Sequence, residues 1–137
     1  MMKHLPAGIL CSLVAFSSPV VAGGLTGAVK LICAPIVAVE CEASGDCSKG
    51  TAESINVPQF FRVDIGRKLI TGEGAGGDTR KSMISSVIKD DGVLILQGAQ
   101  LGRGWSANIN MKTGKMVVTA SAEDIAIILF GSCIADG

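Results

Sequence analysis

Alternation of apolar and polar residues, with almost no helical repeat, runs through most of the chain. In Trp105-Ser-Ala-Asn-Ile-Asn-Met111 the odd positions are apolar and the even ones polar, which predicts a strand with one buried face. Phe60 to Ile65 alternates in the same way, with Phe61, Val63 and Ile65 on one side and Arg62 and Asp64 on the other. Pro35 to Cys41, Met83 to Lys89, Val93 to Gln97, Lys115 to Ala120 and Ile125 to Ile134 complete a set of about seven strands. Asp90-Asp91-Gly92, Lys112-Thr113-Gly114 and Gly66-Arg67 supply tight-turn residues between them. Two regions depart from the pattern. Thr51 to Asn56 reads as a short helix or a loop, and Ala122 to Leu129 begins like a helix before Ile125 to Phe130 turns into a buried strand.

Closely spaced strands joined by short hairpins predict an all-β fold: a small antiparallel meander of about 7–8 strands, closed into a β-barrel or split into a sandwich. Closure is favoured because open sheet edges invite aggregation.

The N-terminus stands apart. Lys3 and His4 precede a largely apolar run from Ala7 to Phe16, which Ser17-Ser18-Pro19 end just before Val20-Val21-Ala22. This is the three-part layout of a cleavable secretory signal over residues 1–22, with cleavage after Ala22. The run is too short for a stable membrane anchor, since about 20 apolar residues are needed to span a bilayer. Leu10 stands before Cys11 where a lipoprotein signal needs a small residue, so lipidation is discarded. A single domain over 23–137 remains, and the expected location is periplasmic or secreted.

Removing the leader changes the chemistry. Of 137 residues, 115 remain, with 11 Lys+Arg, once Lys3 is gone, against 12 acids, and no histidine. Cys33, Cys41, Cys47 and Cys133 form an even set, as expected of a disulfide-stapled exported domain. Cys41 with Cys47 and Cys33 with Cys133 is the preferred pairing, closing one short and one long loop. Cys41 with Cys133 and Cys33 with Cys47 stays open. The spacing lacks the Cys-x2-Cys knuckle of a zinc site, so no metal is expected.

Without histidine there is no Ser-His-Asp or Cys-His pair, so the chain is read as no enzyme. Glu40 and Glu42 would share one face of a strand and are expected to solvate the outside of the sheet. Gly72-Glu-Gly-Ala-Gly-Gly77 matches Gly-x-Gly-x-x-Gly, yet a strand follows it where a nucleotide loop needs a helix, so no cofactor is expected. A near-neutral balance argues against nucleic acid.

Binding then becomes the expected role. Arg103, flanked by glycines in Gly98 to Gly104, stands beside the only tryptophan. Trp105 is expected inside by alternation, with Arg103 at a barrel mouth and Arg80 and Lys81 as a second basic contact for an envelope or extracellular protein partner.

The series Glu40-Cys41 to Cys47, Phe60-Phe-Arg-Val-Asp64, Leu94-Ile-Leu-Gln-Gly98, Gly102-Arg-Gly-Trp-Ser106, Thr113-Gly-Lys-Met116 and Phe130-Gly-Ser-Cys133 resembles a group of small exported envelope proteins of proteobacteria with no assigned activity. That resemblance implies export and β structure. In size, signal and C-terminal disulfide the chain is also loosely similar to periplasmic lysozyme inhibitors of the MliC type, which are small β-barrels. Their Ser-Gly loop motif and following tyrosine have no counterpart here, so no inhibitory residue is transferred. The expectation is a non-catalytic binding or inhibitor-like module acting through protein contact, with a small apolar-ligand carrier of calycin type as the alternative. The many aliphatic residues lean towards a filled interior.

Overall fold

The strands expected from alternation form in the computed structural model, which describes residues 24–137. The leader expected over 1–22 and its cleavage after Ala22 lie outside the described residues. Nine strands follow one another: β1 Lys30–Glu42, β2 Cys47–Gly50, β3 Phe61–Asp64, β4 Leu69–Glu73, β5 Thr79–Asp90, β6 Val93–Gln100, β7 Arg103–Asn110, β8 Lys115–Ser121 and β9 Ile125–Ala135. From β3 onward each pairs antiparallel with the next, and β9 returns to β1. β1 offers its other edge to β3 along Lys30–Cys33 and to β2 along Ala38–Cys41. Eight strands therefore close a barrel and β2 is an extra strand, so the sandwich alternative falls.

The two strands that alternation missed, β2 and β4, read Cys47-Ser-Lys-Gly50 and Leu69-Ile-Thr-Gly-Glu73, in which apolar and polar residues do not alternate. The ambiguous segment at Thr51 becomes a single 3-10 turn, Glu53–Ile55, where the Ser54 N–H donates to Thr51 Oγ1 at 3.2 Å. No helix forms at Ala122. Its N–H donates to the Ile125 carbonyl at 2.9 Å, closing a turn from which β9 begins directly.

The side chains directed inward by alternation build the core. Leu31, Leu94, Leu96 and Ile109 are fully buried, packed with Cys33, Val63, Ile84, Met116 and Cys133. Each large aliphatic side chain removed from water in this way stabilises the fold by about 1.5–3 kcal/mol. One end of the barrel is plugged. The chain before β1 folds back, the Leu25 N–H donates to the Met111 carbonyl at 2.6 Å, and the Leu25 side chain is 1% exposed. At the opposite end lie the β1–β2 hairpin, the segment from Thr51 to Phe60, and the β4–β5, β6–β7 and β8–β9 turns.

A bulge in β1 between Pro35 and Val37 reverses which residues face inward. Before it Leu31 and Cys33 point in; after it Ala38 does, opposite Leu129. Glu40 consequently lies opposite Ile127, on the barrel's inner face near its open end. The expectation that Glu40 and Glu42 solvate the outer face is corrected, because that expectation assumed an uninterrupted alternation.

Both disulfides join residues paired directly across neighbouring strands. Cys33 and Cys133 face each other on β1 and β9 with Cα atoms 4.0 Å apart, and Cys41 and Cys47 face each other on β1 and β2 at 4.1 Å. The first cross-link, spanning 100 residues, joins the strands that close the barrel; the second spans 6. Replacing Cys33 and Cys133 together by alanine should lower unfolding stability by about 4–5 kcal/mol, against about 2 kcal/mol for Cys41 and Cys47, in urea titrations of the oxidised protein. Equal losses would show that barrel closure does not depend on the long cross-link.

Candidate functional site

The inner face is packed in its lower part and hollow above. A cavity of about 420 Å³ opens at the end opposite Leu25. Its wall comes from inward residues of eight strands: Cys33 of β1, Phe61 and Val63 of β3, Ile70 of β4, Arg80 and Ser82 of β5, Leu96 and Gln100 of β6, Arg103, Trp105, Ala107 and Ile109 of β7, Met116, Val118 and Ala120 of β8, and Ile127 and Leu129 of β9. Asn56, Val57 and Pro58 border the opening on one side, and Leu101 at the tip of the β6–β7 turn borders it on another. The volume lies in the range of small-molecule pockets. The hollow follows from residue size, because the upper inner positions that line it include Ser82, Ala107 and Ala120, while large aliphatics fill the lower ones.

Trp105 organises the wall. It lies on β7 directly opposite Gly98 of β6, and its indole crosses that glycine to reach β5, where Nε1 donates to Ser82 Oγ at 2.9 Å. A Cβ on residue 98 would run into the ring carbons Cζ2 and Cε2 and into the Met83 carbonyl, so only glycine admits this path. The burial of Trp105 agrees with the expectation from alternation.

Arg80 ties two loops together at the rim. Its Nη1 donates to the Asn56 carbonyl, its Nη2 to Asn56 Oδ1 at 2.9 Å, and its Nε to Asp78 Oδ2 at 3.1 Å. The hydrogen bond from Arg80 holds the Asp78 carboxyl below its ordinary value, against a smaller opposing desolvation. A depressed value means that the ion pair's contribution is complete above the ordinary carboxylate range and is lost as pH falls through the lowered value. With Asp78 59% exposed, the pair is a modest one. The glycine-rich segment is part of this arrangement. The Gly74 N–H donates to the Asp78 carbonyl at 2.8 Å and the Gly77 N–H to the Gly74 carbonyl at 3.0 Å, making a tight β4–β5 hairpin turn.

Of the four residues expected to contact a partner, Arg80, Arg103 and Trp105 converge on the cavity mouth. Lys81 does not line it; it is exposed, one residue out of phase with Arg80 and Ser82, and its carbonyl accepts a hydrogen bond from Gln100 Nε2 at 2.7 Å. The expected Gly98 to Gly104 loop is absent, because β6 runs to Gln100 and β7 starts at Arg103, leaving Leu101 and Gly102 as a two-residue turn. Both have positive φ, 51° and 76°. That turn favours Asn-Gly, and a leucine in it carries strain of about 1–2 kcal/mol. Leu101 is also 91% exposed. Asn56, Ser82, Gly98 and Gln100 went unremarked in the sequence. Gly98 was within reach, since placing the turn at Leu101-Gly102 puts it opposite Trp105.

A second depression of about 720 Å³ lies on the outer side of β3 and β4. Glu53, Arg62 and Glu73 line it, and Arg62 is engaged by Asp136 at 2.8 Å. The barrel cavity, apolar and within the closed sheet, is the better candidate. Among the described residues no group of three or more His, Cys, Asp or Glu could hold a metal ion, and no helix is long and apolar enough to cross a membrane.

Two substitutions probe this geometry. Gly98→Val should push the indole off β6 and shift the emission of the single tryptophan to the red; unchanged emission would show that the ring does not need the glycine. Leu101→Asn should raise unfolding stability by about 1 kcal/mol in urea, by relieving the left-handed strain. A loss of stability would mean that Leu101 packs in a way its exposure does not suggest.

No protein-family model, no curated protein and no solved structure matches this chain.

Proposed function

We propose that this protein is a non-catalytic binding protein of the periplasm or the secreted space that takes a small apolar ligand into the open end of its barrel. The observation that carries the reading is the hollow itself. A small barrel can fill its interior with side chains or leave room for one small ligand. Here large aliphatics fill the lower part, and alanine and serine positions leave about 420 Å³ above it. The leader pattern over 1–22 and two disulfides support an oxidising location outside the cytoplasm.

A protein contact through the same end is the second reading. Leu101, which borders the opening, is 91% exposed, and an apolar tip next to an arginine is what an inhibitor-like surface uses.

N-phenyl-1-naphthylamine offers a direct test. Titrated into the protein, it should saturate at one equivalent, gain emission and quench Trp105. Ala120→Phe, which narrows the cavity from β8 without altering the loop tips, should abolish the titration while leaving the melting transition in place. A wild-type protein that shows no saturable binding would remove the carrier reading and leave protein contact.

A further inference from the structure

The polar groups of the cavity wall are not scattered. Asn56, Arg80, Ser82, Gln100 and Arg103 all lie at the mouth, and below them the wall is apolar down to Ile109 and Met116. Such a gradient suits a ligand with two unlike ends. The residues that line the cavity carry two guanidinium groups and no carboxylate, and Glu40 stands beside them on the inner face of β1, opposite Ile127.

Hydrogen bonding separates the mouth residues further. Ser82 is taken by Trp105, Gln100 reaches the Lys81 carbonyl, and Arg80 is held by Asn56 and Asp78. Arg103 makes no side-chain hydrogen bond or ion pair among the described residues. It therefore presents a full fork of donors at the rim of an apolar hole, where a charge-assisted bond to an anionic head is strongest. Exposed Leu101 stands two residues away in the same turn, giving an approaching chain an apolar surface beside the cation.

Charge outside the wall favours a single molecule over a membrane surface. The loops and strand ends around the opening carry Glu40, Glu42, Asp46, Glu53, Glu73, Asp78, Glu123 and Asp124, with Lys49 and Lys81 as the only cations there, among the described residues, that do not line the cavity. This acidic surround repels an extended anionic bilayer, whereas one anionic head can reach Arg103 locally.

Resting on the reading of the cavity as a ligand site, we propose that the ligand is a single-chain amphiphile with an anionic head, its tail against Val118, Leu129 and Met116 and its head on Arg103. Decyl-chain probes below their micellar concentrations separate the possibilities: decanoate, decyl phosphate, decanol and decyltrimethylammonium, each followed by Trp105 emission and by displacement of N-phenyl-1-naphthylamine. Both anions should bind at least tenfold more tightly than decanol and the cation, and a preference between them would tell a carboxylate source from a phosphate one. Arg103→Gln should bring decanoate down to the affinity of decanol while leaving decanol and the melting transition unchanged, and Arg103→Lys should recover part of the difference. Decanol binding as tightly as decanoate, tighter binding of the cation, or an unaltered gap in Arg103→Gln would each overturn the anionic head while the cavity reading stands. Failure of every probe, the naphthylamine included, would overturn both.

Discussion

The pairing of β1 with β9 is the contact from which the other features of this barrel follow. It runs from Leu31 against Ala135 to Glu42 against Ile125, far longer than the four positions that β1 shares with either β2 or β3. Without it the meander would remain an open sheet with two unpaired edges. With it the inner positions of eight strands face one another, and the size of each inward side chain sets how much space is left. Cys33 and Cys133 lie within this pairing, so the long cross-link tethers the two strands whose meeting is separated by the most chain. The same pairing accommodates the Pro35 to Val37 bulge, which turns Ala38 into the core and Glu40 to the inside.

Closure converts a linear list of residues into rings, and the rings differ. Towards the plugged end Leu25, Leu31, Leu94, Ile109 and Met116 leave little space. Towards the open end Ser82, Ala107 and Ala120 are small, and the Trp105 indole crosses Gly98 to reach Ser82, running over the neighbouring strand. The arrangement keeps the tryptophan half-buried and hydrogen-bonded without filling the hollow. The loops outside are held by Arg80, whose three hydrogen bonds join the Asn56 segment to the β4–β5 turn.

Much of the fold was legible in the sequence because most of it depends on local period. β7 could be read directly from Trp105 to Met111, and the Asp91-Gly92 hairpin from its turn residues. The paired cysteines were readable only as a preference, since the choice between pairings depends on which strands become neighbours. Other features were hidden for physical reasons. A bulge inserts one residue and inverts the alternation beyond it, so Glu40 was assigned the wrong face. β2 and β4 carry no alternation of apolar and polar residues, so no period marks them. Leu101 disguised its turn because leucine is costly at positive φ. The hollow was the least legible feature, since it depends on which small residues from non-adjacent strands fall at one height.

Three departures from local preference lie at one end of the molecule. Leu101 adopts a conformation that asparagine would accept at lower cost, and it does so with its side chain in water. Gly98 gives up a side chain in mid-strand so that an indole can pass. Arg103 faces inward at the rim without an ion-pair partner among the described residues. At the plugged end Leu25 closes the core and Asp91-Gly92 adopts a turn that suits it, and the one comparable departure is Lys68 at φ 52° in the β3–β4 turn, remote from the cavity. Where local rules are broken within a fold that otherwise obeys them, the cost is commonly retained for function. Strain, a missing side chain and an unneutralised cation all border the same cavity, which is why the open end, and not the outer groove beside Arg62, is where this barrel is best equipped to bind.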